Sequence, residues 1–316
     1  MQPAPRPGAA GLPPLPTAAE QPNPRRSAVW SSVRFPSAVC PPCGEQDSSA
    51  PCAVGTATRW CRSRTAAGHR TRRSAPPRWW SRYSAENDPW APDLSYHGGR
   101  YLMYYSVSAF HSNTPAIGLA TSTTGKPGSW KDQGIVHSST AGSDYNAIDP
   151  DLLVDDDGTW WLAFGSHWSG IKMIRLDPRT GKQYAGDTTR HSLASRSKAP
   201  RAVEGPTVVK RNGYYYLFAS YDTCCSGTTS TYKIKVGRAT KPTGPYYDRK
   251  GVAMNRDGGT VVMASHGSVI GPGGQDIMRD GGKDLLVYHY YDGRDNGAPK
   301  LGINLLKWSG GWPTAY

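Results

Sequence analysis

The chain has 316 residues, among them 36 glycines, 27 prolines, 18 tyrosines and 11 tryptophans, and a formal net charge of +13. No stretch reaches the roughly 20 apolar residues of a membrane-spanning helix, and the extreme N-terminus holds no apolar core of signal-peptide type. The charge does not point to nucleic acid, because residues 1–85 carry +9 of it and the remainder is close to balanced.

Residues 1–85 contain 12 arginines and no lysine, 14 prolines, two leucines (Leu12 and Leu15) and no isoleucine. Alternating strand patterns are absent, so the segment reads as disordered or low-complexity chain. Cys40, Cys43, Cys52 and Cys61 lie within it. The "CPPC" stretch has no partner pair and no helix pattern beside it, so it receives no metal or redox role. Composition changes abruptly at about residue 85. An excess of Arg, Ala, Pro, Ser, Cys and Trp is what GC-rich coding DNA gives when read in a wrong frame. The expectation is therefore a frame-shifted or mis-started segment followed by a folded domain over 86–316.

Beyond that point one pattern recurs. "DLSYHGGRYLMYYS" (93–106), "DLLVDDDGTWWLAFGS" (151–166) and "TVVKRNGYYYLFAS" (207–220) each read as an apolar strand, a turn and an aromatic-rich strand. A looser fourth copy runs from "SVIGPGG" (268–274) through "DLLVYHYYD" (284–292). Further strand-and-turn patterns fill the gaps, and no long amphipathic helix is visible. A period near 60 residues with about four strands per repeat indicates β-propeller blades. Four blades are legible. A closed ring of such blades calls for a fifth, so the expected fold is an all-β, five-bladed propeller whose first blade is absent or corrupted in this chain.

Two carboxylates stand at the starts of repeats. Asp149 in "NAIDP" lies three residues before Leu152, and Glu204 in "AVEGP" lies three before Thr207. The innermost strands of a propeller line its axis, so acids from neighbouring blades converge on one funnel. A pair of carboxyl groups is what glycoside hydrolysis requires, one to protonate the leaving oxygen and one to handle water. Spacing alone leaves the other reading open, in which each acid caps a turn or pairs with an arginine. Trp90 heads the first visible blade and Phe110 follows its aromatic strand; either ring suits a sugar face or inter-blade packing. His266 in "ASHGSV" precedes the fourth blade, where a lone histidine is structural or faces the axis.

The stretches "WAPDLSYHGGRYLMYYSVSAF", "YNAIDPDLL", "FGSHWSGI", "AVEGPTVVKRNGYYYLFASYDTCCSGTTSTYKIKVGR" and "GGWP" resemble the endo-arabinanases of glycoside hydrolase family 43, collinearly over about residues 86–316. The resemblance implies a five-bladed propeller and an inverting hydrolase of α-1,5-linked L-arabinan. It makes Glu204 the general acid and Asp149 the residue that tunes its pKa and orients it. Asn146, Ile148, Ser166 and Trp168 would border the sugar subsite, and Trp90 and Phe110 would be stacking platforms. His266 matches the histidine near a central cation, usually calcium. Cys224 and Cys225 fall in the family's "CC.G..STY" stretch; whether they pair is left open, and no catalytic role is assigned to them. The resemblance also implies arabinan as partner, no nucleic acid or membrane, a monomer, and secretion.

One departure matters. The family's general base is an aspartate in an "HDP" motif of the first blade, and no "HDP" occurs in this sequence. Asp88 in "NDPW" belongs to the wrong blade, and Asp47 has no strand behind it. The general base is therefore expected to be missing. A base-less arabinan-binding propeller and an exo-acting arabinofuranosidase or xylosidase are the competing readings.

Overall fold

The computed structural model describes residues 75–85, 89–110 and 112–316. Within them the strands form four antiparallel sheets, each built from consecutive segments of the chain. The first sheet holds β1 (Pro89–His97), β2 (Arg100–Val107), β3 (Ala116–Ser122) and β4 (Lys131–Ser138). The second holds β5 (Asp151–Val154), β6 (Trp160–Phe164) and β7 (Ile171–Asp177), with its outer strand split into β8 (Lys182–Gln183) and β9 (His191–Ala194), both paired to β7. The third holds β10 (Val203–Arg211), β11 (Tyr214–Tyr221), β12 (Lys233–Ala239) and β13 (Thr260–Met263). The fourth holds β14 (Val269–Asp280), β15 (Lys283–Asp292), β16 (Ala298–Ser309) and β17 (Trp312–Ala315). These are four blades of a β-propeller, and they coincide with the four sequence repeats.

Local chemistry sets the hairpins. Asn212-Gly213 and Gly281-Gly282 have positive φ at both positions, as two-residue turns between right-twisted strands require. Alternation along the strands then sends side chains to opposite faces. Leu102 and Tyr104 of β2 pack with Leu152, Trp160, Leu162 and Phe164 of the second sheet. Leu153, Ala163 and Met173 meet Val208, Leu217 and Ala219 of the third. Tyr216, Phe218 and Val236 meet Ile277, Leu286 and Tyr288 of the fourth. Three inter-blade cores result, one per junction, and burial of these faces is the main stabilising term.

The two outer faces of this row differ. On the first sheet, Tyr105, Val107 and Ala120 are covered by Trp80, with Trp79 and Tyr83 beside it. Trp80 Nε1 donates to Tyr105 Oη at 3.2 Å, and Trp79 Nε1 donates to Asp132 Oδ2 at 3.2 Å. Residues 75–85 are thus part of the folded unit, and the domain border expected at residue 85 moves upstream. Sequence reading missed this because the segment has no strand pattern; its order comes from tertiary burial of Trp79 and Trp80. On the fourth sheet, by contrast, Leu301 and Ile303 of β16 are exposed, beside the β15 residues His289 and Val287. Among the described residues no helix is long and apolar enough to cross a membrane.

Candidate active site

Neighbouring blades are stitched together at their inner ends by a repeated device. Asp93 Oδ2 of β1 accepts the Leu152 N–H at 3.0 Å, and Asp151 Oδ2 of β5 accepts the Val208 N–H at 2.8 Å. Thr207 Oγ1 donates to the Gln275 carbonyl at 2.8 Å. A second stitch comes from the inner hairpin's other strand. Ser106 Oγ accepts the Asp149 N–H at 3.0 Å, and Ser220 Oγ accepts the Gly274 N–H at 2.8 Å. Both serines stand two residues beyond the partner of the stitching residue, Asp93↔Tyr104 and Thr207↔Phe218. In the second blade the pair is Asp151↔Ala163, which puts Gly165 on the serine's rung. A Cβ on Gly165 would lie 2.6 Å from the Gly170 carbonyl oxygen, so no serine fits. There the stitch comes from elsewhere: Asp149 Oδ2 accepts the Gly205 N–H at 3.1 Å.

The same register corrects the placement of the two acids. Ala91, Asp149 and Gly205 all have positive φ (44°, 57° and 58°) and all precede a proline. The ladder shifts at this point between Trp90 and Asp93 and between Glu204 and Thr207. Proline has no N–H to give the ladder, and a bulge absorbs the gap. Asp149 therefore matches Ala91 and Gly205, while Glu204 shares its rung with Trp90, as the pairs Trp90↔Ser106 and Glu204↔Ser220 show. The two acids are one residue out of step, and equal spacing to the first strand was the wrong measure because Leu152 matches Val208, not Thr207, so the two counts end on different rungs. They converge nonetheless, since the Asp149 carboxylate holds the amide next to Glu204.

Glu204 is surrounded by donors. Ser166 Oγ donates to its Oε2 at 2.6 Å, Tyr232 donates its hydroxyl to Oε1, and His167 Nδ1 lies 3.4 Å from Oε2. His167 Nδ1 is also 3.0 Å from Ser166 Oγ. Burial pushes the Glu204 carboxyl up, but His167, Ser166 and Tyr232 outweigh it and hold the group below the ordinary carboxylate range. Asp149 goes the other way. Burial and then the charge of Glu204 raise it to about 7, against the smaller pull of the Gly205 N–H. The hydrogen bond to Glu204 raises His167 despite its burial. The two carboxyls are thus driven apart, Asp149 upward and Glu204 downward, so that the pair as a whole holds one proton up to about pH 7.

Other expected residues fall around this pair in different ways. Ser166 is buried and touches Glu204 directly, and it forms a backbone bridge with it. Ile148 is buried, and its carbonyl accepts the Gly165 N–H at 2.7 Å. Asn146 is buried with no partner for its Oδ1. Trp168 is exposed and follows His167 in a left-handed pair, φ 41° and 52°. Trp90 and Phe110 lie together, ring centroids 5.0 Å apart, with Phe110 exposed. His266 does not join the pair. It is exposed, and its Nδ1 lies 2.9 Å from the Ala264 carbonyl.

Three residues were missed. Tyr232 comes from the far end of the "CCSGTTSTY" loop, where an aromatic next to small polar residues looks like ordinary turn sequence. His167 sat inside "GSHW" between two residues that were singled out. His289 packs on Tyr232 at 5.9 Å between ring centroids, with its Nε2 buried and unpartnered, and burial pushes it down to about 4. It stands two residues beyond Val287, the partner of Asp276, and so occupies the serine's rung of the fourth blade. That register, had it been followed, would have pointed to His289 beside Tyr232. Cys224 and Cys225 are disulfide-bonded to each other, and the Cys225 N–H donates to Tyr291 Oη at 2.9 Å. Asp47, Asp88 and the four upstream cysteines lie outside the described residues. The described residues bring no third carboxylate within hydrogen-bonding reach of Asp149 or Glu204.

Comparison with known proteins supplies a frame for this geometry. Residues 60–313 match the family described as Glycosyl hydrolases family 43. The chain is 50% identical over 243 residues to an extracellular endo-α-(1→5)-L-arabinanase of Bacillus subtilis, covering 76% of this chain and 73% of that protein. It is 40% identical over 253 residues to an extracellular exo-α-(1→5)-L-arabinofuranosidase of Cellvibrio japonicus, covering 75% and 73%. A solved endo-arabinanase from Bacillus licheniformis superposes with a TM-score of 0.72 at 50% identity, covering 76% of this chain and 82% of that one.

Proposed function

The chain belongs to glycosyl hydrolase family 43 and is a glycoside hydrolase, and from that premise we propose that it acts on internal α-1,5-L-arabinofuranosidic bonds of arabinan with inversion. The observation that carries the reading is the buried Asp149–Glu204 pair, which retains one proton among ordered donors. Glu204 carries the pair's proton at the moment of cleavage and gives it to the leaving oxygen, the proton passing to it from Asp149, which is left ionised. Asp149 keeps the proton in the pair up to about pH 7 and, through the Gly205 amide, fixes the chain beside Glu204. Trp90 and Phe110 offer rings for sugar faces, and the free Oδ1 of Asn146 suits a sugar hydroxyl.

The exposed outer face of the fourth blade, with Leu301 and Ile303, supports closure of the ring by a fifth blade. An apolar sheet face of this kind calls for a partner sheet. The general base would come from that blade. With no "HDP" in the sequence, the reaction lacks the group that deprotonates the attacking water. This favours a second reading, a propeller that binds arabinan without turning it over. Calcium at His266 is not supported by its surroundings. Among the described residues this exposed imidazole, bonded to a carbonyl, has no carboxylate set around it, whereas calcium takes six to eight oxygens. No step here runs through a cation. The extracellular names of both relatives support secretion.

The test is reducing-end release from linear α-1,5-arabinan, with and without formate as a substitute for the missing base. Release of mixed oligomers that depends on the added anion supports endo-hydrolysis by an acid-only site. Single-residue release from chain ends would favour the exo reading. Binding of arabino-oligosaccharides with no release under any condition would leave the binding propeller.

A further inference from the structure

A cleft of about 400 Å³ opens at the other end of the third blade, between β12 and β17. Its lining includes Tyr214, Arg238, Tyr247, Asp248, Arg249 and Trp312. Tyr214 pairs with Arg211 at the hairpin end of β11, six residues from Ser220, the partner of Glu204. At strand rise this places it about 20 Å from the Glu204 end.

The chemistry of the cleft is uneven. The Arg238 guanidinium lies over Tyr214 at 4.7 Å and over Trp312 at 4.9 Å, measured to the ring centroids. Arg249 lies over Trp312 at 5.7 Å. Gly311 leaves the space that Arg238 occupies, because a Cβ there would come within 2.6 Å of Nη1. Neither guanidinium has a carboxylate partner among the described residues. The one acid in the lining is already engaged: Asp248 Oδ1 accepts the Lys250 and Val252 N–H groups at 2.9 Å, and Oδ2 accepts the Gly259 N–H at 3.1 Å. Two cations are thus held on aromatic faces with their donor edges open, beside the exposed rings of Tyr214 and Tyr247. Planar guanidinium forks match carboxylates, and flat rings match the apolar faces of sugars.

We propose that this cleft binds an acidic oligosaccharide, with a uronate carboxylate on Arg238 and Arg249 and a sugar face on Tyr247. It is a second carbohydrate site, separate from the Asp149–Glu204 pair, and would hold the protein on charged polysaccharide while the other end meets a neutral chain. The sugar class rests on the carbohydrate reading above; the anion preference rests on the cleft alone.

Calorimetric titration of the full chain with a trimer of α-1,4-linked galacturonate tests it. The wild type binds the trimer, Arg249→Ala and Tyr247→Ala each weaken it by about tenfold, in line with loss of one charge-assisted bond or one stacking ring. Both variants melt within a few degrees of wild type, since both side chains are exposed. Glu204→Gln binds the trimer as wild type does, and saturating α-1,5-arabinotriose does not compete, which separates this site from the proposed active site. No binding by wild type, equal binding by both cleft variants, or equal affinity for inorganic sulfate would overturn the proposal. So would displacement of the trimer by arabinotriose.

Discussion

The junction between the third and fourth blades and the junction between the second and third use the same backbone plan with different side chains. At the first of these, Ser220 accepts the Gly274 N–H and donates to Gln275 Oε1 at 2.9 Å, a closed and neutral arrangement. At the second, Gly165 replaces the serine, and the buried carboxyl of Asp149 takes over the next blade's amide, with Glu204 beside it. A neutral stitch would hold the blades equally well. A buried acid next to a second acid is a costly way to cap one N–H. The chemistry of this chain sits where the repeat's own rule is broken, as expected when a functional site overrides local consistency.

The largest effect should come from breaking the exceptional junction at its acid. Glu204→Gln keeps the shape and the acceptor oxygen but has no proton to give, so arabinan cleavage should fall by about 10²–10⁴-fold. Arabino-oligosaccharide affinity and melting temperature should stay near wild type. Measured turnover in the variant equal to wild type would remove Glu204 from the acid's role.

Asp149→Asn sharpens the comparison, because the amide oxygen can still accept the Gly205 N–H while the titration is lost. In the wild type the pair loses its proton near pH 7, so activity should decline there. In the variant only Glu204 titrates, below the ordinary carboxylate range, and the alkaline limb should move toward acid. Stability carries a matching signature. A carboxyl raised from about 4 to about 7 contributes stability fully below about pH 4, and that contribution is lost as pH rises through about 7. Chemical denaturation between pH 4 and 8 should show this slope in the wild type and a shallower one in Asp149→Asn.

Most of the architecture was legible in the sequence because hairpin turns and aromatic strands repeat at a nearly constant period. Both acids were legible as candidates because each precedes an apolar strand within a family-like motif, although capping a turn or pairing with an arginine stayed open for each. What escaped was whatever depends on register across a bulge or on contacts far along the chain. The one-residue offset of Asp149 and Glu204, the place of His289 against Tyr232, and the donor Tyr232 itself all belong to this class. Trp79 and Trp80 escaped for a related reason, since their order depends on the face of a sheet whose first strand begins nine residues after Trp80.

Smaller effects test the ordinary junctions. Ser220→Ala leaves the Gly274 N–H without its acceptor and should cost about 1–3 kcal/mol in denaturant unfolding. Oligosaccharide affinity should change little. Ala91 holds the left-handed conformation that Gly205 adopts at the same rung, so Ala91→Gly should gain about 1 kcal/mol. A loss of stability there would mean that the Ala91 methyl packs more than the backbone strains.

The central claim is that Glu204 supplies the proton for glycosidic cleavage from a pair that keeps one proton. It is tested most directly by anion-assisted cleavage of linear α-1,5-arabinan, followed as reducing ends in wild type and Glu204→Gln side by side at pH 6. Release by the wild type in formate is expected, with a loss of at least about 10²-fold in the variant. Equal release by the two proteins would contradict it.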